Sequence, residues 1–393
     1  MPPDLGRPLW SEPEEPYLAF PKVTLHDHLD GSLRPDTMLD LADAQGVTLP
    51  YDDGAVLGDW MARVISDPPE PYPHYRFAVT TSLMQDADSI VRVAREWVRE
   101  VAADGVLYGE VRWAPEKHTA GGLSMADAVD AVAEGLRQGE EDVAAAGGMI
   151  MARQLLCGMR ETRLSSRVAD LTIEKFGSSV VGFDIAGPEE GWSILDHLDA
   201  CLKLERAGVP FTIHTGESDG LRSIGDTLNH ARALRLGHGV RIIEDVSLNG
   251  VPLDVRTCVH DVAAARAAGR AELTVGRIAR SVIDLGVPLE VCLTSNARHV
   301  VDDRQNHPVD LLYELGFAVT INPDNRMMSR TSISSEMRHL HELFGWDVSQ
   351  LAKAERVAVD AAFLGEAERA ALRTRVEAGI AAVTVPAHRT SET

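Results

Sequence analysis

Residues 23–31 read Val-Thr-Leu-His-Asp-His-Leu-Asp-Gly, a β-branched and apolar run that passes into a cluster of polar side chains. The first residues of this run predict a short strand, and Gly31 after the polar cluster predicts a turn. Because side chains at i and i+2 of a strand point to the same face, His26 and His28 are predicted to lie side by side. The same order, an apolar run followed by polar residues, recurs along the chain.

Eight such runs alternate with longer stretches rich in Ala, Leu, Arg and Glu, which are typical of helices. The runs span residues 23–26, 106–113, 150–157, 179–185, 209–214, 234–238, 287–293 and 317–322. Parallel strands need crossovers long enough to hold a helix, so this alternation predicts βαβ units. Eight units match an α/β fold, the (β/α)8 TIM barrel; a doubly wound open sheet is the alternative.

Two segments, residues 48–90 and 247–275, exceed the minimal repeat. On a barrel we expect them to form βα loops with extra helices around the mouth. Residues 1–20 are predicted to be an irregular N-terminal arm and residues 383–393 a frayed tail. Since no low-complexity linker or short repeat interrupts the sequence, residues 1–393 are interpreted as a single barrel domain.

The charge balance argues against a nucleic-acid partner. The 393 residues include 60 acidic and 38 basic side chains, a formal net charge of −22. Phosphate backbones need clustered Lys and Arg, so a small, neutral or weakly charged partner is predicted instead. No apolar run approaches the roughly 18 residues of a membrane span, so no membrane association is expected.

The cysteines and the N-terminal residues favour a cytoplasmic protein. Cys157, Cys201, Cys258 and Cys292 are far apart and form no CxxC pair, which argues against a cysteine-based zinc site. Their sparsity predicts reduced thiols and a cytoplasmic location. The Pro-rich, acidic N-terminal residues contain no apolar segment, so no signal peptide is predicted.

A metal site is predicted where several strand ends meet. His26 ends the first run and His28 follows it, His214 ends the fifth run and Asp324 follows the eighth. Three imidazoles and a carboxylate suit Zn²⁺ with an open position for water. The alternative for His26 and His28 is a turn in which both histidines bond to the backbone.

Three further polar residues lie at strand ends. Glu217 is a candidate proton donor if a dry pocket raises its pKa, or else a solvated loop carboxylate or helix cap. His238, between two glycines, is a candidate active-site group or a buried structural histidine. Asp184 is interpreted as a structural partner for a ligand histidine or as a barrel-lining residue.

These groups together predict metal-assisted hydrolysis. A bound Zn²⁺ lowers the pKa of water to about 7, and neighbouring acids and bases can then move protons. From the residues alone the substrate could be an amide, an ester or an amine-bearing heteroaromatic ring.

The ordered motifs of the chain resemble those of the adenosine deaminase family of the amidohydrolase superfamily. The resemblance extends from about residue 21 to about residue 370. The motifs are LHDHLDGSLRP (25–35), GEVRWAPE (109–116), VVGFDIAG (180–187), IHTGES (213–218), RLGHGVRI (235–242), CLTSN (292–296) and INPDN (321–325).

The resemblance implies a (β/α)8 barrel with one Zn²⁺ per subunit that deaminates a purine nucleoside at carbon 6. It assigns His26, His28, His214 and Asp324 as metal ligands. Glu217 would protonate ring N1, and His238 and Asp324 would act on the attacking water. Substrate contacts would come from His28, Asp30, Gly187 and Asn325, and Ser295 would hydrogen-bond behind the metal ligands.

Some segments depart from the family pattern. Asp324-Asn325 replaces the usual Asp-Asp, and Asn can donate to purine N7 through its amide. Residues 71–77 and 296–300 are also unusual. The resemblance implies adenosine or 2′-deoxyadenosine as the substrate. The unusual segments leave adenine, an N6-substituted purine or aminodeoxyfutalosine as alternatives.

A zinc nucleobase deaminase of the HxE and PCxxC type is not supported, because the chain lacks PCxxC. A catalytically silent growth factor or binding module is a further alternative, which the full metal set disfavours.

Overall fold

The computed structural model describes residues 16–63 and 74–383. Within these residues the chain forms eleven strands and sixteen α-helices. The strands are β1 (Lys22–His28), β2 (Val106–Trp113), β3 (Met151–Met159), β4 (Val180–Ala186), β5 (Thr212–Thr215), β6 (Arg235–His238), β7 (Val246–Leu248), β8 (Val251–Pro252), β9 (Leu273–Val275), β10 (Leu289–Val291) and β11 (Val319–Ile321).

The helices follow the strands in chain order. They are α1 (Pro35–Gln45), α2 (Gly54–Met61), α3 (His74–Ser82), α4 (Ala87–Ala103), α5 (Met125–Ala145), α6 (Ser165–Lys175), α7 (Leu198–Ala207), α8 (Leu221–Asp226), α9 (Cys258–Ala267), α10 (Arg277–Leu285), α11 (Leu293–His299), α12 (Val309–Glu314), α13 (Arg326–Ser329), α14 (Ile333–Phe344), α15 (Val348–Ala361) and α16 (Glu366–Ala382). Short 3₁₀ turns occur at Pro115–His118, Ile194–His197, Val240–Asp245 and Arg304–Asn306, and a π turn at Thr227–Ala231.

Two parallel four-stranded sheets close into the barrel. Their strand orders are β1-β2-β3-β4 and β5-β6-β10-β11. Single parallel bridges join them, Phe183 to Phe211 on one side and Asp27 to Asp324 on the other. The predicted (β/α)8 barrel is confirmed, and all its strands end at the same rim.

The eight predicted runs correspond to the eight barrel strands, with differences at their ends. The fifth run was predicted from residue 209, but β5 begins at Thr212. Pro210 has no N–H for the ladder, and its carbonyl accepts a single bond of 3.2 Å from the Phe183 N–H. The seventh run was predicted to reach residue 293, but α11 begins there. The Thr294 N–H in the first turn of α11 donates to Glu336 Oε2 at 3.0 Å.

The insertions add structure at the mouth. Helices α2 and α3 lie within the predicted insertion 48–90, as expected; residues 64–73 of that insertion lie outside the described part of the chain. In the insertion 247–275, helix α9 is present, but β7, β8 and β9 also form a small antiparallel sheet that was not predicted. These strands are two or three residues long, too short for an alternating pattern to be recognised.

The helices around the barrel bury one apolar face, as α4 illustrates. Its first turn is capped by the Asp86 side chain, which accepts the Ser89 N–H at 2.9 Å. Its buried apolar residues recur at helical spacing, at Ile90, Val93, Ala94, Trp97, Val98 and Val101. Trp97 also donates its indole N–H to Asp27 Oδ2 at 2.7 Å, which ties this helix to the end of β1.

A large cluster of buried apolar side chains extends from Tyr17 near the start of the described residues to Ile380 in α16. Of the helices described in residues 16–63 and 74–383, none combines the length and apolar character needed to cross a bilayer. The predicted N-terminal arm and C-terminal tail fall largely on residues 1–15 and 384–393, which lie outside the described residues.

Candidate active site

A cavity of about 1170 Å³ opens at the carboxyl ends of the barrel strands. A volume of this size accommodates a small organic molecule, since ligand pockets commonly measure about 300–1000 Å³. The predicted site residues that line it are His28, Asp30, Gly187, His214, Glu217, His238, Ser295, Asp324 and Asn325. His26 lies behind this surface and is fully buried.

Backbone pairing brings the first and last barrel strands together at the rim. The His28 N–H donates to the Asp324 carbonyl at 2.8 Å, and the Asp324 N–H donates to the His26 carbonyl at 3.0 Å. As a result, Asp324 Oδ1 lies 3.4 Å from His26 Nε2 and 3.3 Å from His28 Nε2. His214 Nε2, from β5 across the barrel, lies 3.2 Å from His28 Nε2. The four side chains of the predicted ligand set therefore lie together.

His238 belongs to the same cluster. One potential ligand atom from each of His26, His214, His238 and Asp324 lies within 4.8 Å of the others. The structure thus brings five potential donors together, which allow two sets of four ligands. Both sets contain His26, His214 and Asp324. They differ in whether the remaining histidine is His28, as predicted, or His238.

The cluster fits a divalent metal ion. His26 Nε2 is buried and has no hydrogen-bond partner within the described residues. Burial lowers the pKa values of His28, His214 and His238, which favours neutral rings that each keep one nitrogen lone pair. The neighbouring histidines hold the pKa of the Asp324 carboxyl well below its usual range despite its burial. Nitrogen and carboxylate donors of this kind suit zinc among the common protein metals.

Two residues of the cluster have strained backbones. His238 has φ of 63° and Asp324 has φ of 62°, in the left-handed region that residues other than glycine rarely adopt. His238 is the last residue of β6, Asp324 follows β11, and both residues line the cavity. Strain of this kind costs about 1–3 kcal/mol per residue and is concentrated at functional sites.

A buried charge network behind the cluster orients two of the histidines. His26 Nδ1 lies 2.9 Å from Glu290 Oε2, and His214 Nδ1 lies 2.9 Å from Asp184 Oδ2. Arg112 joins these carboxylates, with Nη1 donating to Asp184 at 2.7 Å and Nη2 to Glu290 at 2.8 Å. A carboxylate on Nδ1 leaves Nε2 facing the cluster, which is the arrangement that orients histidine ligands of metals.

This network was only partly predicted from the sequence. Asp184 was interpreted as a structural partner for a ligand histidine, and its contact with His214 agrees with that interpretation. Arg112 and Glu290 were not identified, although both are charged residues within predicted strands. These charges in β2 and β10 were the available signal, because an unpaired charge inside a barrel is costly.

Glu217 lies beside the cluster with its Oε1 3.6 Å from His238 Nε2. Only 22 % of its side chain is accessible, and the accessible part lines the cavity. Burial, followed by the negative charges of Asp324 and Glu189, raises the pKa of Glu217 to about 8. A carboxyl group with this pKa is largely protonated at neutral pH and can act as a proton donor.

Ser295 and Asn296, at the start of α11, contact two members of the cluster. The Ser295 hydroxyl donates to Asp324 Oδ2 at 2.6 Å. Asn296 Nδ2 lies 3.1 Å from His238 Nδ1, and its Oδ1 accepts the Cys292 N–H at 3.3 Å. The amide nitrogen therefore donates to Nδ1, so the proton of a neutral His238 ring is on Nε2, toward the cavity. Asn296 was not assigned a role from the sequence.

The remaining predicted substrate contacts lie on the cavity wall. Asp30 is buried, and burial raises the pKa of its carboxyl to about 7. Gly187 has φ of 90°, and a Cβ there would lie 2.5 Å from Glu161 Oε2. Asn325 packs over Gly31, where a Cβ would lie 2.0 Å from Asn325 Oδ1. Glycine at position 31 is thus required for Asn325 to reach the cavity.

The unusual segment 71–77 is described only in part. Residues 71–73 and the side chains of residues 74 and 75 lie outside the described part of the molecule. Arg76 and Phe77 line the cavity, and Arg76 Nη1 donates to the Met61 carbonyl at 2.8 Å. From the second unusual segment, Arg298 and His299 also line the cavity. The described parts of both segments therefore contribute to the same cavity.

Comparisons with known proteins agree on one family. The family profile described as Adenosine deaminase matches residues 21–379. An adenosine deaminase of Mycobacteroides abscessus is 41 % identical over 354 residues, covering 90 % of this chain and 92 % of that protein. Adenosine deaminase 1 of Streptomyces coelicolor is also 41 % identical over 354 residues, covering 90 % and 85 %.

A solved structure shares the fold. An amidohydrolase from Burkholderia ambifaria, determined with bound Zn, superposes with a TM-score of 0.75 at 22 % identity. The superposition covers 97 % of this chain and 98 % of that one. The likeness extends over the barrel and its insertions.

Proposed function

The chain belongs to the adenosine deaminase family, and on this basis we propose that it hydrolyses the 6-amino group of adenosine or 2′-deoxyadenosine, releasing ammonia and the corresponding inosine. The observation that carries the proposal is a largely buried carboxyl group, Glu217, beside a cluster of potential metal donors in a cavity of about 1170 Å³. Hydrolytic deamination needs a nucleophilic water, an acid for the ring nitrogen and a group that stabilises the attacking oxygen.

We propose that His26, His28, His214 and Asp324 hold one Zn²⁺ per subunit. The ion would supply an activated water as the nucleophile at neutral pH. The Glu290 and Asp184 carboxylates orient His26 and His214 for this task, and the Ser295 hydroxyl fixes one oxygen of Asp324.

Glu217 is proposed to protonate purine N1, which makes carbon 6 electrophilic. Its raised pKa supports this role, and its location beside His238 would bring the acid close to the attacking oxygen. His238 presents its Nε2 proton to the cavity because Asn296 donates to Nδ1. It would therefore orient the attacking water and stabilise the oxygen as charge develops.

The substrate contacts are proposals of the same kind. Asp30 would bond to a ribose hydroxyl, the Gly187 N–H and His28 would contact the purine or the ribose, and the Asn325 amide would donate to purine N7. A small-molecule purine is the proposed partner; we also propose a cytoplasmic location, which rests on the sparse cysteines.

A second candidate is deamination of a different aminopurine. Arg298 and His299 of the unusual segment 296–300 line the cavity, so this segment contributes to the substrate wall. Adenine, an N6-substituted purine and aminodeoxyfutalosine are the alternatives that such a change favours.

A substrate panel tests both candidates. Zinc-loaded protein is incubated with adenosine, 2′-deoxyadenosine, adenine, N6-methyladenosine and aminodeoxyfutalosine, and ultraviolet absorbance and ammonia are followed. We expect the highest kcat/KM with adenosine or 2′-deoxyadenosine. A higher value for another aminopurine would favour the second candidate, and background ammonia with all of them would favour a silent binding protein.

A further inference from the structure

Glu189 is a buried carboxylate that follows β4, and its negative charge helps to raise the pKa of Glu217. Its Oε1 accepts the Gly216 N–H at 2.7 Å. Its Oε2 accepts three more backbone N–H groups, from Glu217 at 3.0 Å, Ser218 at 2.9 Å and Asp219 at 2.9 Å. One carboxylate thus accepts four consecutive N–H groups of the turn that carries Glu217, and only 4 % of Glu189 is exposed.

These four N–H groups depend on a side-chain acceptor. They lie between the end of β5 at Thr215 and the start of α8 at Leu221, outside the ladder and outside the helix. Successive N–H groups in a turn form a concave site for an anion, and bonds to an ionised acceptor are about twice as strong as neutral ones. Glu189 supplies that anion from within the protein.

The opposite side of the turn is bonded as well. The Arg241 N–H donates to the Gly216 carbonyl at 2.9 Å, and Arg241 Nη1 donates to the Ser218 carbonyl at 2.7 Å. At the preceding strand end, Arg160 Nη2 donates to the His214 carbonyl at 2.7 Å. The peptide group before Glu217 is therefore held at both its carbonyl and its N–H, and the peptide group after Glu217 is held at the Ser218 N–H.

We propose that Glu189 is a positioning residue that fixes the Glu217 carboxyl group against the substrate ring. The proposal rests on the proposed function, in which Glu217 is the proton donor. Without a carboxylate at position 189, the four N–H groups would turn toward water or other acceptors, and Glu217 would move with its backbone. A displacement of about 1 Å at a reacting group can lower a rate by about 100-fold.

The variant Glu189→Gln tests the proposal with little change of shape. Its amide nitrogen cannot accept an N–H and would face at least one donor of the turn. We expect kcat to fall by about 10- to 100-fold, with a smaller change in KM and with full metal content. Glu190→Gln, at the exposed neighbouring residue, is the matched control and should keep wild-type kinetics.

A double-mutant cycle with Glu217→Gln separates positioning from a general structural role. If Glu189 acts through Glu217, Glu189→Gln should lower the residual kcat of the Glu217→Gln protein by no more than about 2-fold. The same large factor in both backgrounds would overturn the proposal, as would loss of the metal from Glu189→Gln. The cycle is measured with whichever aminopurine the wild-type protein turns over, so that a wrong substrate does not affect it.

Hydrogen exchange gives a readout that does not require activity. The amides of residues 216–219 should exchange faster in Glu189→Gln than in wild type, while those of the barrel strands remain protected. Unchanged exchange in this turn would overturn the proposal even in protein without measurable turnover.

If Glu189→Gln does not fold, Glu189→Asp is the second variant, because it keeps the carboxylate on a shorter side chain. Glu189→Asp should fold and show faster exchange at residues 216–219 than wild type. Unchanged exchange at these residues would be evidence against the proposal.

Discussion

His28 and His238 present donors to the same cluster, and only one of them is expected to complete the metal site. His28 Nε2 lies 3.3 Å from Asp324 Oδ1 and has no proton donor fixed on its other nitrogen in the described residues. His238 accepts the Asn296 amide at Nδ1, so its Nε2 carries the proton and is less suited to coordination. The hydrogen bond at Nδ1 thus distinguishes the two histidines. We expect His28 to bind the metal and His238 to act on the attacking water.

This assignment predicts different outcomes for two alanine variants. His28→Ala should lose bound metal, because one of four ligands is removed. His238→Ala should retain metal and lose turnover by about 10²–10⁴-fold, the usual contribution of a proton-transfer or charge-stabilising group. Elemental analysis of both purified variants, with wild type as the reference, checks the prediction; metal lost from His238→Ala and kept in His28→Ala would reverse the assignment.

At the scale of single elements, the barrel strands are joined by buried charges as well as by hydrogen bonds of the ladder. Arg112 on β2 bonds to Asp184 on β4 and to Glu290 on β10, and Arg235 on β6 forms an ion pair of 2.7 Å with Glu290. The same two carboxylates contact the histidines, Glu290 with His26 and Asp184 with His214. The carboxylates that join strands of both sheets therefore also orient two of the proposed metal ligands.

At the opposite end of β1, a buried carboxyl group on α15 joins helix and strand. Glu355 Oε2 accepts the Val23 N–H at 2.7 Å, and Glu355 is 1 % exposed. Burial raises the pKa of Glu355 from 4.5 to about 8, with the Val23 bond and Lys22 acting in the opposite direction. The folded protein therefore keeps a proton on Glu355 that the unfolded chain releases.

This difference predicts how the free energy of unfolding depends on pH. Between about pH 4.5 and pH 8 the unfolded chain binds fewer protons at this residue, so its contribution to stability falls as pH rises. The slope is about 1.4 kcal/mol per pH unit for a single group. Glu355→Gln, which cannot ionise and can still accept the Val23 N–H, should show a smaller loss of stability across this window.

Urea unfolding at several pH values between 5 and 8 measures this slope. The exposed Glu366→Gln on α16 is the matched control and should follow wild type. An equal slope in wild type and in Glu355→Gln would contradict the prediction.

For the whole molecule, the cluster of proposed metal ligands lies where the two sheets meet. His26 and His28 come from β1, His214 comes from β5, and Asp324 follows β11, so a bound ion would join the ends of both sheets. The unfolded chain cannot bring these residues together. An ion that binds only the folded state adds about 2.7 kcal/mol of stability at 100 times its Kd.

Removing the metal should therefore lower the melting temperature. We expect wild-type protein treated with a strong chelator to unfold at a lower Tm by calorimetry, and zinc to restore the original value. Asp324→Ala, which lacks one ligand, should show little dependence on either treatment. An identical Tm for loaded and chelated wild type would mean that the cluster does not join the sheets through an ion.

The features of the fold and the candidate site that could be predicted from the sequence are those that depend on residues close together in the chain. Apolar runs and intervening helices are local patterns, and they predicted the eight barrel strands and the mouth insertions correctly. The short antiparallel sheet of β7, β8 and β9 was missed, because strands of this length have no recognisable alternation. The roles of the individual site residues remain predictions, although the structure brings all of them to one cavity or directly behind it.

The sequence by itself determined the alternation of strands and helices and put His26, His28, His214, Glu217, His238 and Asp324 at strand ends. Only the tertiary structure decided which groups support them: Arg112 bonds to Glu290 across 178 residues, and Glu189 bonds to the turn of Glu217 across 28. The physical reason is that strand and helix formation depends on neighbouring residues, whereas a buried charge finds its partners only when the barrel closes.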